Sequence, residues 1–192
     1  QGKKYWLVGA SEGLGAALAR RMSEAGAHVV VSARSEKKLS ALVDSLPNEA
    51  SYQTVDVSDD ASVAAAADSI GRIDGVVYLA GVYWPFGAQE WDAEQANAMA
   101  DINFTGLVRV MGRVVPQFVT RDAGHVVITG SLSGFRGLPG RRRIEGKLKL
   151  IVQVVFTTHL GAEFVNPCSR NTEFLCDDIG RSGRFGQSGV EN

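Results

Sequence analysis

Tyr5-Trp6-Leu7-Val8-Gly9-Ala10-Ser11-Glu12-Gly13-Leu14-Gly15 runs from an apolar tetrad straight into three glycines, and a segment of helical period follows. The tetrad reads as a buried strand. Leu14, Ala17, Leu18, Met22 and Ala25 then recur at the i, i+3, i+4 spacing of a helix that packs on a sheet. Glycine suits such a junction for three reasons. It permits the sharp turn, it lets the backbone approach a pyrophosphate with no Cβ in the way, and it leaves N–H groups at the positive helix end open to an anion. A tight turn or close helix packing would account for the same glycines, so the strand-turn-helix context carries the nucleotide reading.

Outward from this junction the pattern repeats. Val29-Val30-Val31, Tyr52 to Val55, Val76-Val77-Tyr78-Leu79 and Val126-Val127-Ile128 read as four more strands, apolar enough for the central ones to be buried on both faces. Phe104, Leu107, Val108, Met111, Val114, Val115 and Phe118 mark another sheet-packing helix. Strands alternating with helices predict an α/β fold with a parallel sheet. At 192 residues, 45% apolar and 21% charged, the chain is expected to form a single domain, residues 1–192, with a sizeable core. A net charge of −1 excludes general binding to nucleic acid or an anionic membrane. No apolar run approaches the ~20 residues of a spanning helix, and the first residues lead into a strand without the pattern of a secretion signal. Two cysteines, Cys168 and Cys176, are too few to staple the fold or build a zinc site, and point to a reducing, cytoplasmic setting.

Where a dinucleotide fold usually places an acid on the ribose 2′-hydroxyl, the chain has Ser32-Ala33-Arg34, with Lys37 and Lys38 just beyond. Arginine there pairs with a 2′-phosphate, which favours NADP(H) over NAD(H); a solvated basic helix start is the alternative. Asp56 and Val57 follow the third strand, near an adenine, or serve with Ser58 as an ordinary helix cap. Together with Leu79-Ala80-Gly81, Asn103 in Asp101-Ile102-Asn103-Phe104-Thr105-Gly106, and Ser131 after the fifth strand, these motifs resemble the short-chain dehydrogenase/reductase family over about residues 4–140. The resemblance implies a Rossmann-like, doubly wound parallel sheet. It also implies that Gly9, Ser11, Gly13, Leu14 and Gly15 cradle the cofactor phosphates, that Arg34 selects the 2′-phosphate, and that Asp56, Val57, Ala80 and Gly81 line the adenosine. Leu79 departs from the asparagine common in the family's third motif.

The family chemistry is hydride transfer between a nicotinamide and an alcohol or carbonyl carbon, coupled to proton transfer at oxygen. By resemblance, Asn103 and Ser131 are two of its four catalytic residues; a helix-terminal polar residue and a strand-end hydroxyl are the plainer alternatives. The other two are a tyrosine and, one helical turn on, a lysine that lowers its pKa. Family spacing puts these at Ile144 and Leu148, and no tyrosine lies beyond Tyr83. The break is abrupt. Alanine occurs 21 times in residues 1–140 and once afterwards, at Ala162, so residues 141–192 form a divergent segment such as a shift of reading frame would produce. Leu150 to Phe156 reads as a strand rather than the helix that should carry the missing pair. Val165-Asn166-Pro167-Cys168 with Thr172 is similar to the family's nicotinamide-contacting segment, with Cys168 in place of glycine.

The expected function is an NADP(H)-dependent oxidoreductase of carbonyls or secondary alcohols, impaired by the missing pair, with a small-molecule substrate and no metal. The alternative is a non-catalytic NADP(H)-binding protein acting through a partner. A homo-oligomer is left open. Trp84, Phe86, Leu132 and Phe135 sit where strand ends would open on an apolar or aromatic substrate, though core packing explains them equally.

Overall fold

A computed structural model describes residues 2–86, 88–130 and 157–159. In chain order the elements are β1 (Lys4–Val8), α1 (Gly13–Glu24), β2 (His28–Ala33), α2 (Glu36–Asp44), β3 (Ala50–Thr54), α3 (Asp60–Ile70), β4 (Gly75–Tyr78), α4 (Ala93–Ala100), α5 (Gly106–Thr120), β5 (His125–Ile128) and β6 (Thr157–His159). The sheet order is β3-β2-β1-β4-β5-β6. The first five strands are parallel, and β6 joins β5 antiparallel. Strand order reverses at β1, whose C-terminal end therefore opens a crevice between β2 and β4, as in Rossmann-like folds. All five strands expected from the apolar runs are present; Leu150–Phe156, expected as a strand, lies outside the described residues.

Two apolar clusters, one on each sheet face, hold the strands. Trp6, Val8, Val30, Val76 and Tyr78 pack with α3 and α5 through Val63, Ile70, Val110, Val114 and Phe118. Leu7, Val29, Val31 and Val77 pack with Ala19, Leu39 and Leu42 of α1 and α2. Burial on both faces is why β1, β2 and β4 read as unbroken apolar runs. The face that α1 buries matches the predicted one only in part: Leu18 and Met22 pack against the sheet cluster, but Leu14, Ala17 and Ala25 are exposed. Gly15, Ala19 and Ser23 are buried while Leu14 is 68% exposed, because small residues let the helix lie close on the sheet and turn its larger ones to the flank. The helix expected from Phe104 is interrupted as well. Asp101–Thr105 is a π-helical turn between α4 and α5, which leaves Phe104 and Val108 exposed.

Candidate functional site

The glycine turn is built from β1 and β2 together. Buried Ser32 accepts from the Trp6 indole Nε1 at 2.8 Å through its hydroxyl, and its carbonyl accepts from the N–H groups of Gly9 and Ala10 at 2.7 and 3.0 Å. This anchor fixes where the chain leaves β1. Gly9 has φ +92°, and a Cβ there would press on the Ala80 backbone, with Ala80 Cα 2.6 Å away. The turn and the β4 end can approach this closely only because residue 9 has no side chain. A Cβ on Gly15 would lie 2.6 Å from the Gly9 carbonyl oxygen, so helix α1 also rests directly on the turn. Gly13 differs, with φ +56° and open space within 4 Å. No side chain caps α1, since Glu12 at its N-cap makes no capping bond. The geometry therefore fits a phosphate group: an uncapped helix N-terminus, a loop pressed against the sheet, and room in front of it.

Arg34 is exposed at the end of β2, and its charge reaches Asp56 after β3. Two bonds from Ser58, hydroxyl at 2.6 Å and N–H at 3.0 Å, are the main reason the Asp56 carboxyl lies below the usual carboxylate range; Arg34 and Arg109 add to this and partial burial opposes it. Asp56 does not cap α3. That role belongs to Asp59, whose carboxylate accepts from Ala61 N–H at 2.9 Å. Val57 is buried, and its carbonyl accepts from Arg109, which also pairs with Asp101 at 2.8 Å. Arg109 thus ties the Asp56-Val57 turn to the π-helical turn.

Asn103 sits in that π turn and clamps the chain beyond β4. Its Oδ1 accepts from Val82 N–H at 2.8 Å, and its Nδ2 donates to the Val82 carbonyl at 2.9 Å. A Cβ on Gly81 would lie 3.4 Å from Asn103 Oδ1, so Ala80, Gly81 and Asn103 share one corner of the crevice. Beneath them the buried Tyr78 hydroxyl donates to the Ile102 carbonyl at 2.6 Å, and burial pushes that phenol well above its ordinary range. Leu79, at the asparagine position, is held by its backbone, donating to the Val8 carbonyl at 2.7 Å. The structure thus gathers Gly9, Ser11, Gly13, Leu14, Gly15, Arg34, Asp56, Val57, Ala80, Gly81 and Asn103 around the C-terminal ends of β1 to β4. Ser131, Leu132, Phe135, Ile144, Leu148 and the segment Val165–Cys168 lie outside the described residues. Trp84 and Phe86 follow the clamp, Trp84 N–H meeting Met99 Sδ at 3.5 Å and Phe86 stacking edge-on with Trp91.

Sequence reasoning missed Ser32, Tyr78, Arg109 and the pairing of Lys38 with Glu12. Opposite charges could have suggested Arg109 with Asp101, eight residues apart, and Lys38 with Glu12, 26 apart, but neither spacing is a helical one that sequence pattern marks.

A family profile described as short chain dehydrogenase matches residues 3–142. An uncharacterized oxidoreductase of Staphylococcus epidermidis is 31% identical over 133 residues, covering 67% of this chain and 58% of that protein. Sulfoacetaldehyde reductase 2 of Chromohalobacter salexigens is 31% identical over 175 residues, covering 87% of this chain and 69% of that protein. Among solved structures, a variant of the actinorhodin polyketide ketoreductase with NADPH superposes with a TM-score of 0.66 at 29% identity, over 72% of this chain and 56% of that one. The chain belongs to the short-chain dehydrogenase family. It spans 58% of the length of the Staphylococcus relative.

Proposed function

We propose that this chain binds NADP(H) at the β1 to β4 crevice and encodes carbonyl reduction or secondary-alcohol oxidation on a small molecule. The observation that carries the cofactor choice is Arg34, exposed at the end of β2 with its charge felt at Asp56, where an acid would serve the unphosphorylated ribose. NADPH in the ketoreductase structure supports the choice, and the likeness to a protein named sulfoacetaldehyde reductase supports a carbonyl substrate. When bound, the cofactor supplies hydride from its nicotinamide. The chain supplies the phosphate cradle at Gly9, Ser11, Gly13, Leu14 and Gly15, adenosine contacts at Asp56, Val57, Ala80 and Gly81, the Asn103 clamp, and the Ser131 hydroxyl to polarise the substrate oxygen.

The phenol that would move the proton has no counterpart at the family's position. Of the four tyrosines, Tyr78 is buried with its hydroxyl on Ile102, the Tyr5 hydroxyl meets His125 Nδ1, the Tyr52 hydroxyl donates to Glu36, and Tyr83 is exposed in the segment after β4, far in sequence from the family's position after β5. Slow turnover with retained binding is the expected outcome. Titration of the full chain with NADPH, followed by cofactor fluorescence, tests the reading, and absence of binding would sink it. Turnover of small aldehydes and ketones that falls in Ser131→Ala supports the enzyme. The missing phenol favours a second reading, a non-catalytic NADP(H)-binding protein. For that protein, cofactor-dependent association with a partner would be unchanged in Ser131→Ala.

A further inference from the structure

We propose that Glu12 sets cofactor discrimination by withholding Lys38 from the 2′-phosphate: its carboxylate holds the Lys38 ammonium in an ion pair that NADP(H) must break and NAD(H) need not. The inference rests on the NADP(H) reading above, and concerns which residues tune it. Glu12 stands at the N-cap of α1 between Ser11 and Gly13, inside the turn that would receive the phosphates. Short side chains are favoured at an N-cap because they reach back to the helix N–H groups. Glu12 makes no such bond; its Oε2 reaches Lys38 Nζ at 2.5 Å, a side chain from the first turn of α2. The pair bridges two helix N-termini across 26 residues of sequence, and both side chains are exposed, 71% for Glu12 and 55% for Lys38. Lys38 also keeps the Glu12 carboxyl below its usual range, first by the hydrogen bond and then by charge.

Lys37 and Lys38 both follow Arg34 in the first turn of α2 and are the next cations along the chain from a phosphate bound at Arg34, and Lys38 is the one that Glu12 holds. A 2′-phosphate carries ~1.5 to 2 negative charges near pH 7, enough to compete for that ammonium. While Glu12 holds Lys38, the phosphate faces Arg34 with a carboxylate nearby and one cation already neutralised. Glu12 also repels the pyrophosphate, but that repulsion acts on both cofactors alike. Direct repulsion between Glu12 and the 2′-phosphate would also disfavour NADP(H), but a selective gain from that source would persist in Lys38→Met and so overturn the proposal, whereas a gain through release of Lys38 would vanish there.

NADPH and NADH dissociation constants for the full chain, measured by cofactor fluorescence in wild type, Glu12→Gln, Lys38→Met and the double variant, test the proposal. An exposed pair of this kind shifts an equilibrium by up to about fivefold, so Glu12→Gln is expected to tighten NADPH by about that factor and NADH by less than about twofold. Lys38→Met is expected to weaken NADPH and to erase the gain from Glu12→Gln. The selective gain should shrink in ~1 M salt, where charge interactions between exposed groups are screened. Equal tightening of both cofactors would assign Glu12 to the general field of the turn and overturn the proposal, as would an unchanged NADPH affinity. NADPH binding without a selective response defeats this inference alone. Folded variants and wild type that all fail to bind either cofactor defeat the NADP(H) reading itself, and this inference with it.

Discussion

Three glycines in one turn separate two physical costs that are usually confounded. An alanine at Gly13 meets open space but keeps φ +56°, so it carries backbone strain alone, about 1 to 2 kcal/mol in the left-handed region. Gly15 has no positive φ, yet its new Cβ would sit 2.6 Å from the Gly9 carbonyl oxygen, so it carries crowding alone. Overpacking of this kind costs about 1 to 3 kcal/mol; replacing a helical glycine with alanine returns about 1 kcal/mol of helix propensity. Gly9 carries both penalties, φ +92° and a Cβ pressed on the Ala80 backbone, and lies outside the helix. Gly9→Ala is therefore expected to lose about 2 to 5 kcal/mol, more than either neighbour and a large share of a typical domain's stability. Urea unfolding followed by tryptophan fluorescence suits the measurement because the Trp6 indole is buried and bonded to Ser32, whose carbonyl anchors the turn. A Gly9→Ala loss no greater than that of Gly13→Ala would refute the close approach between the turn and Ala80.

Further substitutions test the rest of the crevice. Asn103→Ala removes both Val82 bonds, so it should cost about 1 to 2 kcal/mol and speed hydrogen exchange at the Val82 amide; unchanged exchange would contradict the clamp. Tyr78→Phe leaves the Ile102 carbonyl without its phenol donor and should lower the urea midpoint by an amount equivalent to about 1 to 3 kcal/mol. Because Ser58 and the neighbouring arginines lower the Asp56 pKa in the folded state, Asp56 contributes stability above its unfolded pKa of ~3.9, and that contribution is lost as pH falls through the folded value. Asp56→Asn should accordingly lose stability at neutral pH and flatten the acid limb of the stability-pH curve, as read from urea midpoints across pH ~2 to 7.

Periodicity alone placed β1, β2, β4 and β5, because strands buried on both faces show as unbroken runs such as Val29-Val30-Val31. The glycine turn was legible for a similar reason: Gly9, Gly13 and Gly15 answer backbone demands that no other residue meets as cheaply. Arg34 could be read for its chemistry, since its place at the end of a strand follows from local order. What escaped was whatever depends on contacts distant in sequence. The most deeply buried positions of α1 are Gly15, Ala19 and Ser23, beside the expected Leu18 and Met22, because close packing on the sheet selects small residues, a preference that apolar spacing does not register. The π turn holding Asn103, the Tyr78 hydroxyl beneath it and the Arg109 bridge to Val57 join residues 21 to 52 positions apart, and no local pattern encodes such pairings. The same holds for Glu12 and Lys38: two ordinary charged residues in the sequence, they become one ion pair only when the sheet brings the N-termini of α1 and α2 side by side.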